Sequence, residues 1–403
     1  MENEYAVYMN TILGGAIGYT LDGLSRAHIR AEFKNTDHEK YFDISSAVKH
    51  DMNRWKKPGL YPASIQLLLL FAMKSITKRD SLMLFSESIV QSPEVQESEY
   101  SFLRNASLVE RQYYNNIIQS ENIIIDFPQV HFIHFVIPIC YSCKNKADIF
   151  LTVLEMISRI NKNYMFISSA LLFAFLLYDS NGAENRDFIS LSVKNMLELI
   201  SLSEKESGRI FNAGLNPETF MQSLIYFEEL LISLTKRETA DIDLGEKIIF
   251  DYVNELIKTP ITRGTVNYPL ALIPFAILLA EEYEVNYPFI LHDMAFLGGD
   301  ASLLSSLVAA LLGSSFGEDI ISQQLLNDLI NKKRLEQVVN AIVTKKVKPQ
   351  LITDFIQNEA SLTAKEISER NAKLKHMKVK VKKQKSRKDI EHDINTHIVE
   401  SWT

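Results

Sequence analysis

The sequence predicts an all-α protein of many helices joined by short connections. Three observations carry this. Glycine and proline number only 14 and 11 in 403 residues, about half the usual share of turn-formers. Apolar residues recur at three- and four-residue spacing in segment after segment, which is the period of a helix with a buried face. No stretch alternates apolar and polar residues between hairpin turn signals, so no sheet is expected.

In chain order the periodic segments are Ser64–Ile76, Ala147–Ile160, Ile167–Leu177, Ser190–Leu202, Pro217–Leu234, Gly245–Ile257, Leu270–Tyr283 and Ser302–Leu312. Pro217 suits a first helical turn, where its missing N–H costs nothing, and Asn216 before it is placed to cap. The runs LLLLFAMKSI and ALLFAFLLY are apolar on most faces. Helices of that kind belong in the middle of a bundle. No period of 20–50 residues marks a solenoid.

Composition narrows the class. Hydrophobic residues make up 46% and charged residues 23%, as in a globular protein and unlike a disordered chain. Two cysteines cannot build a disulfide framework. The opening MENEYAVYMN has no basic or apolar leader signature. The longest apolar stretches noted, Met165–Tyr178 and Pro269–Ala280, fall short of the roughly 18–20 residues that span a bilayer. The expectation is a cytoplasmic protein of a reducing compartment with no membrane span.

Charge is unevenly placed. Residues 365–388 carry eleven Lys/Arg against two Asp/Glu, the last fifteen residues carry four acids and no Lys/Arg, and the rest of the chain sums to −12. An acidic helical domain over 1–348, with an insertion at 27–55, is therefore followed by a C-terminal extension over 349–403. Within the extension 351–370 reads as helical, with Ser361 resembling a capped start. Beyond Lys373 almost nothing is available to bury, so a solvated, flexible tail is expected. The run 365–388 is the one segment suited to nucleic acid, by charge alone, since no aromatics interleave it for base stacking.

Four potential zinc ligands, His131, His134, Cys140 and Cys143, lie close together. Only six residues separate the two pairs, and the intervening FVIPI is core-like. Buried side chains are the favoured reading over a structural zinc, and the redox role of the Cys pair is left open.

Two glycine-containing segments are more informative: Gly14-Gly-Ala-Ile-Gly-Tyr-Thr-Leu-Asp-Gly23 and Gly298-Gly-Asp-Ala-Ser-Leu, running on to Gly317. Neither has the Lys-Ser/Thr of a phosphate loop, and neither follows a strand. Ala301, Ser305, Ala309, Gly313 and Gly317 recur every four residues, which lines small residues along one helix face for a close neighbour.

These segments resemble the ADP-ribosylglycohydrolase family. Leu13-Gly-Gly-Ala-Ile-Gly-Tyr-Thr-Leu-Asp resembles the family's opening L-x-G-x-x-G-D-A-L-G. Pro58-Gly-Leu-Tyr-Pro-Ala-Ser-Ile-Gln-Leu is similar to G-x-x-T-D-D-T-Q-M. Phe102-Leu-Arg-Asn-Ala-Ser-Leu is similar to A-M-R-x-A-P-L, and Gly298-Gly-Asp-Ala-Ser-Leu to G-G-D-x-D-T. All four stand in family order over roughly residues 8–335. The resemblance implies a compact orthogonal bundle of helices with its site at the centre.

It also implies two divalent ions, usually magnesium, held by carboxylates and Thr hydroxyls. Hard cations need several oxygen ligands. Here the T-D-D positions hold Pro62, Ala63 and Ser64, the D-x-D-T positions hold Asp300, Ala301, Ser302 and Leu303, and the opening Asp is Tyr19. Asp300 and Glu32 are the vestigial acids, with Asp22 nearby. Asp300 either caps the helix that starts at Ala301 or remains a weak metal ligand. Tyr19, Tyr61, Ser64, Asp300 and Ser302 are the expected pocket lining, with a tyrosine placed to stack on adenine.

With so few ligands, metal-assisted attack of water on the ribose carbon is not expected. No cofactor is expected, and Mg²⁺ enters only with a residual activity. The implied role is a binding protein, with an ADP-ribosyltransferase or an ADP-ribosylated protein as partner, an immunity function being one form. The alternative is an active glycohydrolase with a rearranged site drawing on Asp22, Glu32, Asp37 or Asp43.

Overall fold

Gly14 and Gly18 place the first helix, α1 (Glu4–Tyr19), backbone to backbone against a helix from the other end of the body, Ala301–Phe316. A Cβ on Gly14 would overlap the Ser305 carbonyl and lie 2.9 Å from the Ser306 Cα. One on Gly18 would overlap the Ala301–Ser302 peptide. Gly313 meets Asn10 and Ala6 in the same way. Two almost wholly buried helices with small facing residues thus form the axis of the molecule, and tight packing there replaces the larger side chains of an ordinary helix pair.

This computed structural model describes residues 3–33, 40–49, 51–77, 102–106, 110, 126, 128–183, 187–237, 239, 241–258, 261, 263–282, 290–320 and 322–400, with side chains to residue 376. After α1 come α2 (Arg26–Glu32), α3 (Ala63–Thr77), α4 (Val136–Cys140), α5 (Lys146–Ile160), α6 (Tyr164–Ser180), α7 (Phe188–Lys205) and α8 (Ser207–Asn212). Then follow α9 (Pro217–Thr235), α10 (Ile242–Ile257), α11 (Pro269–Glu282), α12 (Ile290–Phe296), α13 (Ala301–Phe316), α14 (Gln323–Asp328), α15 (Lys332–Val343) and α16 (Pro349–Glu400). The described residues contain no strand, only an isolated antiparallel bridge between Ser25 and Gly298.

The elements form where local chemistry supports them. Asn216 accepts the Thr219 N–H at 3.0 Å with Pro217 in the first turn of α9. Asn145, Asn163, Asp187 and Asp241 cap α5, α6, α7 and α10 in the same manner, each cap satisfying an N–H the helix leaves free. The apolar helices α6 and α11 flank α13, and α7, α9 and α10 pack outside them. The segment Ala301–Ile320 is long and apolar enough to cross a membrane, which the sequence reading overlooked, but 89% of it is buried inside the protein.

One local reading in the C-terminal extension is corrected. Ser361 starts nothing: α16 runs unbroken from Pro349 through Ser361 and past Lys373 to Glu400. Its early turns bury Ile352, Phe355 and Ile356 against the body. That anchor propagates the helix, so no new start is required. The insertion contributes α2 and the buried Trp55, whose indole N–H donates to Asp43 at 3.0 Å.

Candidate functional site

The first and last glycine segments meet. Gly23 N donates to Gly299 O at 2.8 Å, and Gly299 N donates to Leu24 O at 3.0 Å. Gly298 and Gly299 have φ of 71° and 69°, and a Cβ on Gly298 would lie 2.5 Å from Leu24 O. Both positive φ and close approach therefore select glycine.

This pairing sets Asp22 at the N-terminus of α13. Its Oδ1 accepts the Ser302 N–H and its Oδ2 accepts the Ser302 hydroxyl, both at 2.7 Å. Asp300 holds the N-cap position but makes no capping bond. The capping reading of Asp300 is thus corrected: Asp22, delivered from the loop after α1, takes the exposed N–H that Asp300 would otherwise serve.

Lys56 completes the arrangement. Its Nζ lies 3.3 Å from Asp22 Oδ2 and 4.8 Å from the centroid of the Tyr19 ring. Burial pushes the Asp300 carboxyl up from its ordinary 3.8 to about 6, and the neighbouring Asp22 charge adds to this. His131, Arg263 and Lys56 pull it back. Thr265 Oγ1, buried beside Gly299, has no hydrogen-bond partner.

Of the expected pocket residues, Asp300 and Ser302 are therefore brought together, with Asp22 between Ser302 and Lys56. Ser64 is buried in the first turn of α3. Tyr19 and Tyr61 are fully buried rather than open to a base. The Tyr19 hydroxyl donates to Glu366 at 3.1 Å, and the Tyr61 hydroxyl donates to Glu359 at 2.6 Å. A cation covers each ring, Lys56 on Tyr19 and Arg104 on Tyr61. Glu32 ends α2, exposed. Asp43 carries Ser45 and Trp55 hydrogen bonds that outweigh its burial and hold it below the usual range. Asp37 lies outside the described residues.

A second polar cluster lies beneath α16 and was missed in the sequence. Glu359 Oε2 accepts from Gln66 Nε2 at 2.7 Å and from Arg104, and Glu359 Oε1 accepts from Asn331 Nδ2 at 3.1 Å. Glu366 accepts the Lys57 N–H at 2.8 Å. Gln66 also accepts the Arg104 N–H and donates to Phe102 O. The only available signal was spacing: 355, 359, 363, 366 and 370 continue one helix face beyond the apolar anchor.

The four His/Cys residues have separate partners. His134 Nε2 pairs with Ser306 Oγ at 2.8 Å, and burial pushes its imidazole down to about 3, which keeps it neutral. His131 accepts from Asn267 at 2.9 Å. Cys140 donates to Ala174 O, and Cys143 lies 3.6 Å from Thr152 Oγ1. Burial raises both thiols, and both are free.

No family model and no curated protein matches the sequence. A solved structure is similar in fold. It is described as an ADP-ribosylglycohydrolase-related protein complex, and it superposes with a TM-score of 0.51 over 86% of this chain and 98% of that one, at 13% identity. The fold is that of the ADP-ribosylglycohydrolases. Within it, the first and last motif segments meet at the N-terminal end of α13, and Tyr61, Gln66 and Arg104 of the two middle segments meet Glu359 of α16.

The residues present do not fit a pair of magnesium ions. Pro62, Ala63 and Leu303 offer no side-chain oxygen. Both Asp22 oxygens are engaged by Ser302, and one also by Lys56. Among the described residues no three His, Cys, Asp or Glu side chains are grouped to hold a metal. A divalent ion at Asp22 would have to displace an ammonium and a helix cap, and among the described residues would find only the neighbouring Asp300 as a second carboxylate, where a pair of Mg²⁺ ions needs several hard oxygens.

Proposed function

We propose that this ADP-ribosylglycohydrolase-like chain is a pseudoenzyme that works by binding. Its target is an ADP-ribosylated protein or an ADP-ribosyltransferase, in the second case as an immunity or inhibitor protein. The observation that carries the reading is the Lys56–Asp22 ion pair at the head of α13. A fixed protein cation pairs with Asp22 there, where a ligated metal ion would otherwise stand. A lysine ammonium cannot supply two coordinated oxygens or an activated water. The acidic body would favour a partner with a basic surface.

The test measures ADP-ribose release from an ADP-ribosylated protein with and without millimolar Mg²⁺, alongside capture of that protein and of a transferase. Capture without release is the expected result. Robust Mg²⁺-dependent release would overturn the proposal and favour an active glycohydrolase with a rearranged site.

A further inference from the structure

The acidic body carries a basic pocket away from the site described above. It is a cavity of about 520 Å³ between α5 and α8. Leu151, Leu154 and Ala213 give it apolar lining, and Arg159, Lys162 and Arg209 stand around it against a single acid, Glu155. Among the described residues Lys162 and Arg209 make no ion pair and no side-chain hydrogen bond. Lys162 lies over the turn that joins α8 to α9. Gly214 in that turn has φ of 79°, and a Cβ there would stand 2.7 Å from Lys162 Nζ. Arg159 pairs with Glu155 one helical turn away, with both side chains more than half exposed, so that pair is worth little and exchanges readily.

Phe211, on the same short helix as Arg209, is 71% exposed. Apolar surface therefore continues outside the cavity. An occupant that answers all of this brings carboxylates and bulky apolar side chains together and is larger than the cavity. The chain itself holds such a segment. Residues 389–403 contain Asp389, Glu391, Asp393 and Glu400 with no Lys or Arg, and Ile390, Ile394, Ile398 and Trp402 recur every four residues. Before them, residues 377–388 contain seven Lys/Arg and no acid. The order of charge is complementary: a basic run for the acidic body, then an acidic segment for the basic pocket.

The seat of α16 is α3 and the turn Met52–Arg54, and the helix packs on the core as far as Leu374. Residues 377–400 continue the same helix for about 36 Å. A continuous helix does not double back, so a pocket formed by α5 and α8 is met on another molecule. We infer that this pocket receives the acidic, isoleucine-bearing segment 389–403 of a second copy, two chains exchanging these segments reciprocally in a closed dimer. Carboxylates of the segment take Lys162 and Arg209 and replace Glu155 at Arg159, while isoleucine covers Leu151 and Leu154. The inference is independent of the pseudoenzyme reading, since neither the presence nor the absence of glycohydrolase activity bears on it.

Sedimentation velocity of the full chain across the micromolar range tests it. The parent should dimerise. K162E/R209E and the opposite set D389K/E391K/D393K should each raise the dimer dissociation constant about tenfold or more, a decade of affinity. A chain carrying both sets should regain the dimer, because the charges are again opposite. A fluorescent peptide of residues 389–403 should bind the parent saturably, and the same peptide with I394D/I398D should not. The peptide comparison leaves the protein unaltered, so it decides even where a variant chain fails to fold. Dimers indifferent to both charge sets, or equal binding of the two peptides, would overturn the inference. A parent that stays monomeric yet binds the peptide would overturn the dimer and give the pocket to an acidic segment of a different protein.

Discussion

The Arg104 guanidinium pairs with the Glu359 carboxylate across 255 residues of sequence, with both side chains wholly shielded from water. Removing one partner strands the other charge in the interior, at a cost of about 3–5 kcal/mol. Glu359→Gln and Arg104→Met should each lower the urea midpoint accordingly. The double variant should lose much less than the sum. Additive losses in a double-mutant cycle would show that the two charges do not depend on each other.

Asp22 is expected to matter more to stability than its loop position suggests. Asp22→Ala removes the cap of α13 and leaves Lys56 without its carboxylate. The loss should be about 1–2 kcal/mol, as for other N-cap deletions. Thermal unfolding of the variant beside Ser302→Ala reads it. A change within error for Asp22→Ala would contradict the cap.

Asp300 should show the opposite sign. Its folded value of about 6 exceeds its ordinary 3.8, so the native state holds the proton more tightly than the unfolded chain. That favours folding below about pH 4, and the advantage is lost as pH rises through 6. Asp300→Asn should therefore be more stable than the parent at pH 7 by about 1–3 kcal/mol, with the gap closing near pH 4. A pH series of denaturant midpoints decides it, and a gap that widens toward acid would reverse the assignment.

Glycine substitutions separate packing from propensity. Gly14→Ala and Gly18→Ala force a methyl into the backbone of α13 and should cost about 3 kcal/mol each, by overpacking. Gly208 lies in α8 with nothing within 4 Å of an added Cβ. Gly208→Ala should gain about 0.5–1 kcal/mol from helix propensity alone. Similar stability for the three variants would mean that α1 and α13 do not touch as described.

Much of the fold was legible because helical periodicity is a local property. Ser64–Ile76, Pro217–Leu234 and the small-residue face from Ala301 to Gly317 all read correctly, the last because four-residue spacing of small side chains has few other uses. The helix α1 was read only as a glycine segment, since glycine weakens the local signal and the tertiary contact that uses it lies far away in sequence. The likeness of Ser361 to a capped start misled because a hydroxyl before an acid resembles a cap whether or not the preceding turn is anchored. Asp22 was noted only as a nearby acid, and its partnership with Ser302 and Lys56 requires three distant segments to meet. Glu359 and Glu366 were hidden by the ordinary expectation that a carboxylate on a helix faces water.

The pairing of α1 with α13 also governs the order of events during synthesis. About 280 residues separate the end of the first helix from the start of its partner. At roughly 5–20 residues per second, translation takes on the order of 15–60 seconds to cover that distance. Throughout this interval the nascent chain carries an apolar helix whose glycine face has nothing to close on, and Tyr19 waits longer still for Glu366. Local helices between them can form at once, but the axis cannot. A ribosome stalled before residue 301 would hold a chain whose N-terminal segment lacks the partner that buries its glycine face.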